Sequence, residues 1–102
     1  MPTIEQLEKL LSAEPDDAFT LYALALEHAK QGRHDMAVAF FDRCLASDEE
    51  YTYAYYHKAR SQESADDLGG ARATLETGLE VARRVGDAKA TSEIGAFLQG
   101  LG

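Results

Sequence analysis

Three histidines, His28, His34 and His57, and one cysteine, Cys44, are the residues of this 102-residue chain best equipped for metal binding or nucleophilic chemistry. Imidazole and thiolate can ligate a metal or act as base and nucleophile. Both uses need defined spacing, such as two ligands one helical turn apart in HExxH, or a CxxC pair. Neither spacing occurs, and no histidine has a second ligand one turn away on its own helix. Cys44 shares a helical stripe with Phe41 and Leu45, the place of a small buried hydrophobe rather than a nucleophile. No strand leads into a glycine-rich phosphate loop. The expectation is a protein that is not an enzyme, with no catalytic residue, no metal and no cofactor. The acidic groups Asp16-Asp17, Asp48-Glu49-Glu50 and Asp66-Asp67 fall between elements. There they favour the positive ends of helices, so we read them as solvated caps, with an acidic edge that steers a basic partner as the functional alternative.

The elements that carry these residues are organised around Leu21 to Leu45. Leu21, Leu24, Ala25 and His28 recur at offsets of three and four, as do Ala37, Phe41, Cys44 and Leu45. Such offsets place each set on one face of a helix. Gly32 between them can adopt the left-handed conformation that ends a helix, and Asp35 can cap the next. Small side chains at Ala25 and Ala37 let the two backbones approach. The prediction is an antiparallel helical hairpin.

A shift of 34 residues repeats the pattern, pairing Tyr22 with Tyr56, Ala25 with Ala59, Ala37 with Ala71 and Phe41 with Leu75. Gly32 then pairs with Asp66, and aspartate is among the few residues that tolerate the left-handed turn. A two-helix period of this length marks a helical solenoid, whose units bury their apolar faces only against one another. The chain resembles a tetratricopeptide repeat (TPR) array, whose pattern is W-x2-L-G-x2-Y, then A-x3-F, then P. Leu21, Leu24, Ala25, His28, Ala37 and Phe41 supply one copy; Tyr55, Ala59, Ala71 and Leu75 supply the next. Lys58 and Gln62 depart from the family's leucine and aromatic residue, and Glu49 and Arg83 stand where its proline belongs.

The resemblance implies an all-α, right-handed helical-hairpin solenoid of about six antiparallel helices, one domain over residues 1–102. Residues 3–14 form a half repeat, 18–51 and 52–87 two repeats, and 88–101 a C-terminal half repeat or capping helix. Ile4, Leu7, Leu10 and Leu11 make the apolar face of the first helix, with Thr3 as its N-cap. A helix from Ala71 to Arg84 follows Asp66-Asp67-Leu68-Gly69-Gly70, with Leu68 tucked under that turn. Gly78 inside it costs about 1 kcal/mol of helix propensity, which makes sense only if a neighbour packs closely there.

Composition sets further bounds. A hydrophobic share of 45% with 27% charged residues suits a soluble globular domain. The net charge is −8, from 10 Lys and Arg against 18 Asp and Glu, which argues against nucleic acid or an anionic membrane as partner. The acidic N-terminus lacks a signal-peptide core, and one cysteine allows no internal disulfide; both fit the cytoplasm.

The resemblance also directs attention to one face of the first helix in each repeat. There, Phe19, Tyr22 and Leu26 correspond to Tyr53, Tyr56 and Arg60, and to Lys89, Ser92 and Ala96 in the last half repeat. In TPR proteins these positions line a concave groove that takes a peptide or helix of another protein. Tyrosine suits such a surface by offering an apolar ring and a hydroxyl. We expect Phe19 and Tyr53 to be partly core. A clamp for an acidic tail would need basic and amide side chains where this chain has Tyr22, Leu26, His57, Lys89 and Glu93, so an apolar ligand is expected. The alternative function is structural self-assembly. Phe97 and Leu101, left uncovered on the last helix, would then join a homodimer.

Overall fold

The computed structural model describes residues 2–101, and four of its six helices begin at a capping side chain. The order is α1 (Ile4–Ala13), α2 (Ala18–Lys30), α3 (His34–Ser47), α4 (Thr52–Ser64), α5 (Leu68–Val85) and α6 (Ala88–Gly100), with no strand among the described residues. Thr3 and Gln6 form a reciprocal capping box at α1, the Thr3 hydroxyl accepting from the Gln6 N–H at 3.1 Å and the Gln6 side chain from the Thr3 N–H at 2.9 Å. The Asp17, Asp67 and Asp87 carboxylates accept from Thr20, Gly70 and Ala90 N–H groups at 2.9, 2.9 and 3.0 Å. Asp35 does not cap α3: Arg33 holds the N-cap position without a side-chain bond, and Asp35 lies within the first turn. There its charge still faces the positive end of the helix dipole.

The turn within each hairpin closes in the same way. Gly32 and Asp66 both take positive φ, 80° and 62°, and the following N–H groups reach back to the His28 and Gln62 carbonyls at 2.9 and 2.8 Å. Gly86 and Asp87 repeat the arrangement at the end of α5. This left-handed closure satisfies carbonyls that a helix end otherwise leaves open. Asp67 captures the Gly70 N–H, so α5 begins at Leu68, three residues before the expected Ala71. That places Leu68 on the first helical turn, where its side chain is 50% exposed instead of tucked beneath the loop.

The hairpins α2–α3 and α4–α5 pack side by side, α3 against α4, while α1 covers α2 and α6 covers α5. Ala25, Ala37, Ala59 and Ala71 are fully buried, so the paired backbones meet over methyl groups. One apolar cluster contains Leu21, Phe41, Cys44 and Ala54; the other contains Leu75, Ala82, Ile94 and Leu101. On α1 only Leu7 is buried, and Leu10 is 56% exposed, because α1 has only α2 to lie against. The residues of the second hairpin that depart from the repeat pattern find polar partners. Lys58 pairs with Asp42 on α3 at 2.6 Å, and Gln62 accepts from the Thr74 hydroxyl at 2.7 Å.

The close approach expected at Gly78 is present. A Cβ added there would stand 2.5 Å from Tyr55 Cβ on α4, an atom tied to the backbone, not a movable side-chain tip. The Gly78→Ala variant is therefore expected to lose roughly 1–3 kcal/mol through overpacking, more than the approximately 1 kcal/mol of helix propensity that alanine returns. Urea unfolding followed by circular dichroism measures the balance. Equal or greater stability would show that Tyr55 yields at little cost.

At the C-terminal end, Leu101 is 5% exposed and belongs to the second apolar cluster, and Arg72 Nη2 donates to its carbonyl at 2.7 Å. The exposure that motivated a dimer contact at Leu101 is absent, because the residue packs into the second apolar cluster with Leu75 and Ile94.

Candidate functional site

The first helix of each hairpin and the last helix, α2, α4 and α6, touch in succession and share one side of the molecule. Residues one helical turn apart on these helices make its surface. Two hollows lie there and meet at Arg60. The first, about 280 Å³, runs between α2 and α4; Leu26, Ala29 and Lys30 form one wall, and His57, Arg60, Ser61 and Ser64 the other, with His34 at its end. The second, about 580 Å³ and more open, lies between α4 and α6 and is bounded by Tyr56, Arg60, Glu93, Ala96 and Phe97.

A chain of rings runs beneath and between them. Tyr22 meets Tyr51 with centroids 4.7 Å apart, and its edge contacts reach Phe41 at 6.0 Å and His57 at 5.9 Å. His57 stacks on Phe41 and meets Tyr56 at 5.2 Å, and Tyr56 meets Phe97 at 5.5 Å. Edge-to-face contacts of this kind add to simple burial and hold the rings in one geometry. Burial, then the neighbouring Tyr51, Cys44 and Tyr53, push the Tyr22 pKa up to about 12. Tyr22 is thus floor more than lip. The Tyr53 hydroxyl is buried without a partner in hydrogen-bond geometry, and burial followed by the nearby Glu93 carboxylate raises its pKa.

The three histidines divide. His28 is buried, stacks on Phe40 at 5.3 Å, and its Nδ1 accepts from Arg33 Nε at 3.0 Å. Burial and then Arg33 lower its pKa against a smaller pull from Glu8, so the fold holds a neutral imidazole there. His57 is lowered by burial and then Arg60, with Glu93 opposing. His34 lies 3.4 Å from the Ser61 hydroxyl at the end of the first hollow. Cys44 is fully buried, and burial, then Asp48 and Asp17, raise its pKa to about 11, the reverse of what a nucleophilic thiol requires.

Of the residues singled out from the sequence, Leu26, Tyr56 and Arg60 line the hollows, Tyr22 supports them, and Tyr53 is partly buried against Tyr56. Phe19 is not partly core: it is 67% exposed, one residue off the buried stripe of Thr20, Leu21 and Leu24. Phe19 and Lys89 line neither hollow. Phe97, assigned from sequence to a dimer contact, forms a wall of the second hollow. His57 and Glu93, named from sequence only as the residues at the clamp positions, line the hollows, and Ser61 and Ser64 were not recognised as groove walls. The signal for His57, Ser61 and Glu93 was the four-residue step along each helix, from 22 to 26 to 30, 53 to 57 to 61, and 89 to 93 to 97.

A family model described as "Tetratricopeptide repeat" matches residues 20–51. A TPR repeat-containing protein of Pseudomonas aeruginosa is 33% identical over 98 residues, spanning 96% of this chain and 93% of its own. The crystal structure of a tetratricopeptide repeat domain protein from Salinibacter ruber superposes with a TM-score of 0.77 at 36% identity, over 83% of this chain and 94% of that one. The TPR2B domain of yeast Sti1, solved in complex with pHsp70, superposes with a TM-score of 0.90 at 20% identity, over 96% of this chain and 78% of that one.

Proposed function

The chain belongs to the tetratricopeptide repeat family, and on that premise we propose that it is a non-enzymatic protein-interaction module whose groove takes a peptide or helix of a partner protein. The observation that carries this reading is the pair of hollows sharing Arg60, floored by rings that are already locked against one another. A ligand entering such a surface loses its own freedom but orders little of the protein, which favours affinity. The yeast domain solved with pHsp70 is a precedent for ligand binding on this fold, not for the identity of the ligand. The net charge of −8 turns the choice towards a protein rather than nucleic acid or an anionic membrane. No helix of the described residues is long and apolar enough to cross a membrane. One buried thiol suits a cytoplasmic setting.

The test is affinity capture from the native lysate on the wild-type chain and on a Leu26→Ala/Tyr56→Ala double variant. Partners are then confirmed by titration with the purified proteins. The double variant is expected to keep its helical circular dichroism while binding weakens by roughly a hundred-fold, the effect of removing two anchoring side chains. A partner that binds both proteins equally would place recognition elsewhere on the surface.

A further inference from the structure

The first hollow has the wrong charge for the protein that contains it. The chain carries 18 acidic against 10 basic residues, yet this hollow is lined by the cations Lys30 and Arg60, with His34, His57, Ser61 and Ser64 beside them, and by no carboxylate. Lys30 is already partly committed, lying 3.9 Å from Glu27. Arg60 forms no ion pair among the described residues, and it stands where the two hollows meet. His57 is held between Tyr22, Phe41 and Tyr56, and its ring nitrogens have no hydrogen-bond partner among the described residues. The next hollow shares Arg60 and is otherwise lined by Tyr56, Ala96 and Phe97 and by one carboxylate, Glu93, which makes no ion pair with Arg60.

We infer that the groove recognises an acidic side chain within the partner segment, its carboxylate seated against Arg60 and His57, with a neighbouring apolar side chain on Tyr56 and Phe97. This deepens the groove reading and rests on it. One free guanidinium matches one carboxylate, which it can grip through two parallel hydrogen bonds. A side chain, not a chain terminus, fits because the groove continues past Arg60 to Phe97, so the ligand backbone runs on. The net charge of −8 disfavours acidic segments in general, so Lys30 and Arg60 confer register as well as attraction.

The probe is a random peptide library displayed with blocked C-termini, selected on the wild-type chain and on Arg60→Gln, with winners measured by fluorescence anisotropy. Selected peptides are expected to carry Asp or Glu near a bulky apolar residue. Changing that acid to its amide should weaken binding to wild type roughly tenfold and leave binding to Arg60→Gln nearly unchanged, the coupling that a direct contact produces. Winners without an acidic residue, or bound equally by Arg60→Gln, would overturn the inference. They would leave the groove reading intact if Tyr56→Ala still abolished binding. Acid dependence found only with a second library of free carboxyl termini would overturn the side-chain assignment. No enrichment, or winners indifferent to both Leu26→Ala and Tyr56→Ala, would overturn both readings.

Discussion

Replacing Phe41 with alanine is expected to cost 3–5 kcal/mol, approximately the range for deleting a fully buried aromatic ring. The ring is inaccessible to solvent and sits where α2, α3 and α4 meet, touching Tyr22 edge-on and stacking on His57. Tyr22 is itself pinned by Tyr51, and Ala25, Ala37 and Ala54 of the same cluster are too short to fill the space. A domain of this size is stable by roughly 5–15 kcal/mol, so the loss is a large share of the total. The melting temperature should fall by roughly 15 °C or more. Phe40 supplies the control: it is only partly buried, stacks on His28 and lies under Arg43, so Phe40→Ala should cost less than half as much. A urea midpoint for Phe41→Ala within a few tenths molar of wild type, with the slope unchanged, would refute the packing described here.

The Cys44 thiol is expected to react with a neutral thiol reagent at least roughly a thousand-fold more slowly in the native protein than in denaturant, because reagent reaches it only when the surrounding core opens. Two effects act together. The sulfur has no exposed surface, and a pKa raised from 9.0 to about 11 leaves little of the reactive thiolate at neutral pH. Protection should fall in step with stability, so the Phe41→Ala variant ought to label faster than wild type under native conditions. Native labelling within tenfold of the denatured rate would mean that α3 presents a different face to the core.

Much of this was legible in one dimension because helical packing is periodic. Ala25, Ala37, Ala59 and Ala71 announce close helix approaches through their size and spacing, and all four are buried. Gly32 and Asp66 announce turns through the rarity of residues that accept positive φ. Gly78 announced a tight neighbour, and Tyr55 is that neighbour. Where the sequence reading failed, the error concerned which sides of a helix find cover. Leu10 and Phe19 carry apolar side chains that have nothing to lie against, and Leu68 was displaced into the open by a cap one residue before it.

Local rules therefore determined the helices, their hairpin pairing and the stripes that α2 and α3 bury, since side-chain offsets and turn chemistry are properties of neighbours along the chain, whereas α1 buries only Leu7 of its expected face. Only the tertiary structure decided the ends and the groove. Leu101 went inside because the last residues of α6 close over Leu75 and Ile94. Phe97 became a groove wall because α6 packs beside α4. The meeting of Lys30, His34, His57 and Arg60 in one hollow likewise joins three helices. Such a constellation depends on how helices are set against one another, and that geometry is fixed by the whole core rather than by any segment of it.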